Sequence, residues 1–534
     1  MPEQMAFARK ASGLVRGLSL IDAFGVGFMN QGLTVSMWVM ISMGLSVYTG
    51  GNLIIATILS AILCGIGFSL VWGILGGSMP RSGGEYIYNS RILSPLIGIA
   101  ESFGNAFVWI MWIFVLAPWT VDPGLVMLFQ FLGKPEWAEF CTTPLALFLF
   151  STLVSIIALL FLVFGMKVFA SAQKIVMGLG TFGGLIILLL FTFSSHDAFV
   201  QSWNSVAAQY GSLNYDAFLA AAKTAMETAG TALPSTWNWF DTFGVMVAGS
   251  WLFAYSYCIT FIAGEVKRPD KAIILGNLFA VLVPAFFMLW LAIVLYRVVG
   301  FQFLSATAWV DYNGLEGYTV PWSTSYVGLA AMLTSSPFLL ICMAGSFILF
   351  NIWYVALSYL AFPRIVFAWG MDRMGPKWFT DIDYRWATPV KNHILCFVLG
   401  EIGIAIYSFW QNPMSGLSIT ALEVVSVFGV TAIAAIIFPY VKKVSHIWES
   451  SPYKTWKVLG IPAVTIGGIV NMIYLSILFY FYVFMPGFES YTLSTLVFYA
   501  VIWGLGIAWY FYWKARNKKD GLDSSMTYGQ LPPD

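Results

Sequence analysis

The chain has 534 residues, of which 59% are apolar and only 10% charged. Soluble domains are nearer to about 45–50% apolar and 25% charged, so no soluble fold of this length could hide so much apolar surface. With a net charge of +1 the chain sets up no global field that would draw nucleic acid, and a bilayer is the solvent expected for most of it.

A helix needs about 20 apolar residues to cross hydrocarbon. Twelve stretches qualify, near 17–43, 52–77, 95–121, 144–165, 172–194, 241–264, 272–298, 326–362, 391–411, 416–441, 459–485 and 491–513. Solid apolar blocks such as Leu185–Phe191 do not alternate as barrel strands would. The fold class expected is therefore an all-α membrane protein of twelve transmembrane helices. Before them lies a polar N-tail, 1–16, with no cleavable signal pattern. After them, 517–534 reads as a disordered cytoplasmic tail. Residues 195–240 form the longest external connection, with a helical middle at Tyr215–Thr228; 299–325 form a second external cap and 363–390 an internal one.

Basic residues set the direction. Arg9, Lys10 and Arg16 precede span one, and Arg81 and Arg91 follow span two. Further groups follow spans four, six, eight, ten and twelve, whereas only Lys134, Lys223 and Arg297 fall on the other side. The positive-inside rule then places both termini in the cytoplasm of a multi-pass cell-membrane protein.

Enzyme signals are missing. His196, His393 and His446 lie in separate segments without metal-ligand spacing, and no phosphate-binding G-x4-G-K-[ST] loop occurs. The five cysteines are scattered through apolar runs, as buried bystanders would be. Neither a metal nor a cofactor is expected.

The informative features are polar breaks inside apolar helices, which survive in hydrocarbon only where protein or a water-filled cavity satisfies the freed backbone. At about 1.5 Å per residue from Arg16, the midplane falls roughly at residues 28–34. There the chain reads Asn30-Gln31-Gly32-Leu33-Thr34. A binding site and an interhelical hydrogen-bond clamp both account for such a run. Span six carries Phe253-Ala254-Tyr255-Ser256-Tyr257 at mid-depth, and it ends in Gly264-Glu265-Val266-Lys267-Arg268-Pro269. Acids within or near spans are functional suspects by default: Asp22, Glu101, Glu401 and Glu423.

The stretch Met79-Pro80-Arg81-Ser82-Gly83-Gly84-Glu85-Tyr86, running on to Pro95–Gly98, resembles the signature after helix two of the amino acid–polyamine–organocation (APC) superfamily permeases. Gly264–Pro269, Phe253–Ser256, Pro363-Arg364 and Asp372-Arg373-Met374-Gly375-Pro376 resemble further segments of that family. The resemblance covers roughly 15–445, and the last two helices by topology alone.

It implies a LeuT-like five-plus-five inverted repeat with two additional C-terminal helices. A ten-helix transport core would occupy 17–442, with helices eleven and twelve in 443–516. In that architecture broken helices one and six turn half-helix N-termini toward an anionic group at midplane. The resemblance therefore implies Gly32, Leu33 and Thr34 for a substrate carboxylate. Asn30, beside Gln31, and backbone carbonyls near Phe253–Tyr255 would take an ammonium group. Tyr257, Trp109, Asn351 and Trp353 would wall the site. Arg81, Glu85, Glu265 and Arg373 would act in an internal gate or loop scaffold, with Asp22 and Glu101 as further gate or coupling candidates.

The chain departs from the family at Tyr257, where a glycine is common, and at Gly180, which stands where proton-coupled members carry lysine. Lysine-based proton coupling is thus not expected. The function implied is secondary active transport of amino acids or related amines by alternating access, with a proton or sodium ion as the coupling partner. A ligand sensor or partner subunit on the same fold is the alternative.

Overall fold

The computed structural model describes residue 14 and residues 16–410, 426–485, 492–522 and 527–532. Most of the N-tail and Glu423 lie outside the described residues, as do the beginning of span ten and part of the C-tail.

Among the described residues ten helices are long and apolar enough to cross a membrane, and two bent pairs raise the number to twelve if each is one span. The bent pairs are Trp239–Ala248 with Ser250–Glu265, at 43°, and Ser426–Tyr440 with Lys442–Ser450, at 77°. They coincide with the expected spans six and ten. The chain is a multi-pass helical membrane protein.

Two expectations need correction. Span eight begins at Pro337 rather than 326, because Tyr326–Ala331 forms a separate short helix. Proline at the first helical position has no N–H to lose, which suits it to start the 35-residue helix Pro337–Met371. The C-tail is ordered in part, since Thr527 and Tyr528 are buried against the helices. Its polar composition concealed one aromatic anchor.

The spans fall into two groups. Span one (Leu20–Val47) and span two (Leu53–Ser78) pack on span seven (Pro269–Val298) and on the second half of span six, Ala254–Glu265. Span three (Pro95–Phe131) and span four (Pro144–Val163) pack on span eight and on span nine (Val390–Trp410). Span five (Met166–Thr192) lies along span eight. The crossing is close because Gly183 has no side chain: a Cβ there would overlap the carbonyl oxygen of Cys342. Span eleven (Ala463–Phe484) packs on span two, and span twelve (Leu493–Lys519) on span three.

The long connection between spans five and six holds two helices, His196–Tyr210 and the expected Tyr215–Thr228. They cover a third, Phe301–Asn313, through a stack of Tyr215 on Phe303 with centroids 4.0 Å apart. Trp203, fully buried, meets Phe303 edge-on at 4.9 Å.

Gly183→Val should cost about 1–3 kcal/mol through overpacking against backbone that cannot yield. The check is the melting temperature of the purified protein in detergent. An unchanged value would mean that spans five and eight do not meet there.

Candidate functional site

Span one starts with a reciprocal cap. Asp22 N–H donates to Ser19 Oγ at 3.3 Å, while the Asp22 carboxylate accepts from Ser19 N–H at 2.8 Å. Its other oxygen pairs with Lys174 Nζ at 2.8 Å. Asp22 thus anchors the helix start, some two turns from the break.

The first segment of span one ends at Asn30. Gln31 N–H and Gly32 N–H fold back onto the carbonyls of Phe28 and Met29, at 3.3 and 3.1 Å. Gly32 then takes φ +52°, a left-handed conformation natural to glycine, and a second segment starts at Leu33. Leu33, Thr34 and Val35 carry the first N–H groups of that segment, which have no partner within the helix. The next one, Ser36 N–H, is bonded to Gly32 O at 2.8 Å.

Span six breaks beside it. Its α-helix ends at Phe253 and continues as a 3₁₀ helix from Ala254 to Glu265. The side chains of the first break hold the second: Asn30 Nδ2 donates to Tyr255 O at 2.8 Å, and Gln31 Nε2 to Phe253 O at 3.5 Å. Asn30 Oδ1 and Gln31 Oε1 are buried and accept no hydrogen bond among the described residues. The clamp is therefore real, and it leaves two acceptor oxygens unused.

Aromatic rings surround the clamp. Trp112 meets Trp251 and Tyr255 edge-on, at 4.8 and 5.3 Å, and Tyr354 at 5.5 Å. Tyr326 Oη donates to Thr34 O at 2.9 Å, and Ser346 Oγ lies 3.4 Å from Thr34 Oγ1. Of these rings the sequence points only to Tyr255, although Trp112 is one helical turn from Trp109. Apolar spans hold aromatic residues on lipid and core faces alike, so ring type carried no direction.

Among the expected wall residues, Trp109 and Tyr257 lie together, with rings 6.0 Å apart and Tyr257 against Phe428 at 5.0 Å. Asn351 is fully buried, with both amide atoms unpartnered among the described residues. Trp353 points away: it stacks on Phe169 at 5.1 Å and donates to Gln173 Oε1 at 3.3 Å, toward span five. Ala254 is buried, and Ser256 Oγ bonds its own turn at Phe253 O. None of the side chains expected to bind or wall the substrate exceeds 3% exposure.

The face that carries both termini is sealed by charge. Glu265 pairs with Arg364 (Nε to Oε1, 3.2 Å), and the Glu265 carbonyl accepts Gly17 and Leu18 N–H, strapping the entry of span one to the end of span six. Arg91 grips Asp372 with two bonds of 2.6 and 2.8 Å, both side chains fully buried. The expected Arg373 has an exposed side chain, and its carbonyl accepts from Asn517. Its neighbour Asp372 is the fully buried charge of this segment, and it meets its counter-ion Arg91 at contact distance. Arg81, half-buried, bonds the Pro532 carbonyl of the tail. Glu101 accepts from Asn89 at 3.1 Å, and Glu401 from Thr152 at 2.7 Å.

On the opposite face Trp38 stands edge-on to Trp119 at 5.5 Å, and Trp119 stacks on Trp251 at 5.8 Å. Trp38 Nε1 also donates to Asp311 of the cap at 3.2 Å. The site is closed on both faces.

A family model described as "Amino acid permease" matches residues 25–523, so the match runs through the last two helices as well. No curated protein matches the chain.

Glu265→Gln leaves the Arg364 guanidinium buried without its counter-charge, a change that costs about 3–5 kcal/mol at such sites. Glu265→Gln with Arg364→Met should recover most of that loss. The native probe is Cys258, fully buried in the 3₁₀ half of span six. In a variant whose other cysteines are replaced, Glu265→Gln should raise maleimide labelling of Cys258 several-fold. Equal labelling rates would deny the pair a role in closing this face.

Proposed function

The chain belongs to the amino acid permease family of the APC superfamily, and on that premise we propose that it is a secondary active transporter of amino acids or related amines. The observation that carries this reading is the paired break. Leu33, Thr34 and Val35 offer unused N–H groups at the positive end of a half-helix, where a carboxylate is favoured without a buried cation. Asn30 Oδ1 and Gln31 Oε1 offer unused acceptors suited to an ammonium group. An α-amino acid carries both charges on one carbon and can use both ends at once.

The residue roles differ in detail from those the resemblance implied. Gly32 N–H is bonded to Met29 O, so the carboxylate falls to the N–H groups after it. Gly32 serves instead by its left-handed turn and by leaving space before the Tyr354 ring, which a Cβ would meet at 3.2 Å. Tyr255 O accepts Asn30, so the ammonium falls mainly to the amide oxygens.

In this reading spans one to five and six to ten form the inverted repeat, and each half contributes one broken helix. The group of spans one, two, six and seven rocks against three, four, eight and nine. Both termini lie in the cytoplasm of a cell-membrane carrier. The inner latches are Glu265–Arg364 and Arg91–Asp372, and the outer plug is built on Trp38, Trp119 and Trp251.

Gly32→Leu tests the site. Left-handed φ costs a side-chain-bearing residue about 1–2 kcal/mol, and the leucine would occupy the ligand's space. The variant should insert and purify as a monodisperse species while its affinity for the best stabilising amino acid falls at least about 100-fold. Gly25→Leu, which presses on Gln173 instead, should lower the melting temperature and spare affinity. Calorimetry beside thermal shift reads both, and counterflow in proteoliposomes separates a carrier from a sensor. Normal affinity in Gly32→Leu would move the site elsewhere.

A further inference from the structure

Glu85 is fully buried at the start of the helix Glu85–Ile92, between spans two and three. Trp72 Nε1 donates to its Oε1 at 2.8 Å, and Asn105 Nδ2 to its Oε2 at 3.0 Å. Among the described residues no cation forms an ion pair with it. The charged groups nearby are committed elsewhere: Arg91 to Asp372, Arg364 to Glu265 and Lys443 to the Leu93 carbonyl, while Glu101 accepts from Asn89. The titratable groups that feel Glu85 are Tyr88 on its own helix, and Tyr257 and Cys258 on span six. A buried carboxylate held by two neutral donors and no cation is better placed protonated than ionised.

Asn105 connects this carboxyl to the substrate region. Its Oδ1 lies 3.5 Å from the hydroxyl of Tyr257, two residues beyond the Tyr255 carbonyl that Asn30 holds. We propose that Glu85 is a proton-binding site whose occupancy is read by span six through Asn105 and Tyr257, making the proton the coupling ion. The proposal rests on the transporter reading for its use, though not for its chemistry.

The direction of the hydrogen-bond chain supplies the link. With Glu85 ionised, Asn105 gives its N–H to the carboxylate and accepts the Tyr257 O–H. Protonation forms one O–H bond on Glu85, and that new donor needs an acceptor. The indole of Trp72 is donor-only. Asn105, already bonded to Oε2, is the group placed to turn its amide, presenting Oδ1 to Glu85 and Nδ2 to the oxygen of Tyr257. The Tyr257 hydroxyl is then released to donate elsewhere in the site. When the terminal face opens, the Glu85 O–H bond breaks, the proton passes to water, and the chain reverts. Burial pushes the Glu85 carboxyl up to about 7, so exchange with water near neutral pH is within reach.

The test has an arm that needs no transport. Infrared difference spectra of the full-length protein should show a protonated-carboxyl band that vanishes as pH rises through about 7, together with a change in a tyrosine C–O band. Glu85→Gln should abolish both, and Asn105→Leu should keep the carboxyl band and lose the tyrosine change. A carboxyl band unaltered in Glu85→Gln, or none titrating in the wild type, overturns the site. A tyrosine change that persists in Asn105→Leu overturns the link.

In proteoliposomes, a one-unit inward proton gradient should raise accumulation of a mixture of common L-amino acids up to about tenfold for one proton per substrate. Glu85→Gln should retain counterflow and lose that gain. Counterflow with no response to the gradient in the wild type overturns coupling. Titrating bands without any counterflow would fault the transporter reading and leave the proton site standing.

Discussion

The structure depends on how two interrupted helices satisfy their backbone inside hydrocarbon. An unsatisfied amide group there costs several kcal/mol, and no water is at hand to relieve it. Span one answers by aiming Asn30 and Gln31 at the carbonyls that span six exposes around Phe253 and Tyr255. Each break therefore supports the other, and neither would be tolerable alone. Those bonds also tie the break in span one, just before the partnerless N–H groups of Leu33–Val35, to the break in span six.

The two faces are closed by different chemistry. On the terminal face the seal consists of buried ions, Arg91 with Asp372 and Arg364 with Glu265. Such pairs add little net stability, because desolvation offsets their attraction, yet parting one without replacement is costly. That cost suits them to the latch role proposed above. On the other face the seal is a ladder of rings, Trp38, Trp119 and Trp251, with polar ties from Trp38 to Asp311 and from Trp119 to Tyr407. Ring contacts of this kind are individually weak and can slide.

The residues between latch and site explain why the connection after span two folds as it does. Glu85–Ile92 turns eight residues of mixed polarity inward, all buried, although its mean composition is that of a surface loop. Four of its polar members have partners that only the fold supplies: Trp72 and Asn105 for Glu85, Asp372 for Tyr86 and Arg91, Glu101 and Thr431 for Asn89. The C-tail closes over this helix, with the Tyr528 ring 5.1 Å from the Arg91 guanidinium.

Composition and periodicity by themselves determined that this is a helical membrane protein, where most spans lie, and that span one breaks at Asn30–Thr34. They could do so because burying a charge or an amide in lipid is expensive enough to leave its mark on every span. The motif after span two pointed to the family for a related reason, since its glycines and charges occupy fixed places. Tertiary structure decided what those signals cannot encode. It paired Asp372 with the distant Arg91, turned Trp353 toward span five and Trp112 toward the clamp, and seated Tyr528 of an apparently featureless tail. In each case the deciding quantity was direction: a side chain's type sets what it can bond to, but only the packing of distant helices sets which partner stands within reach.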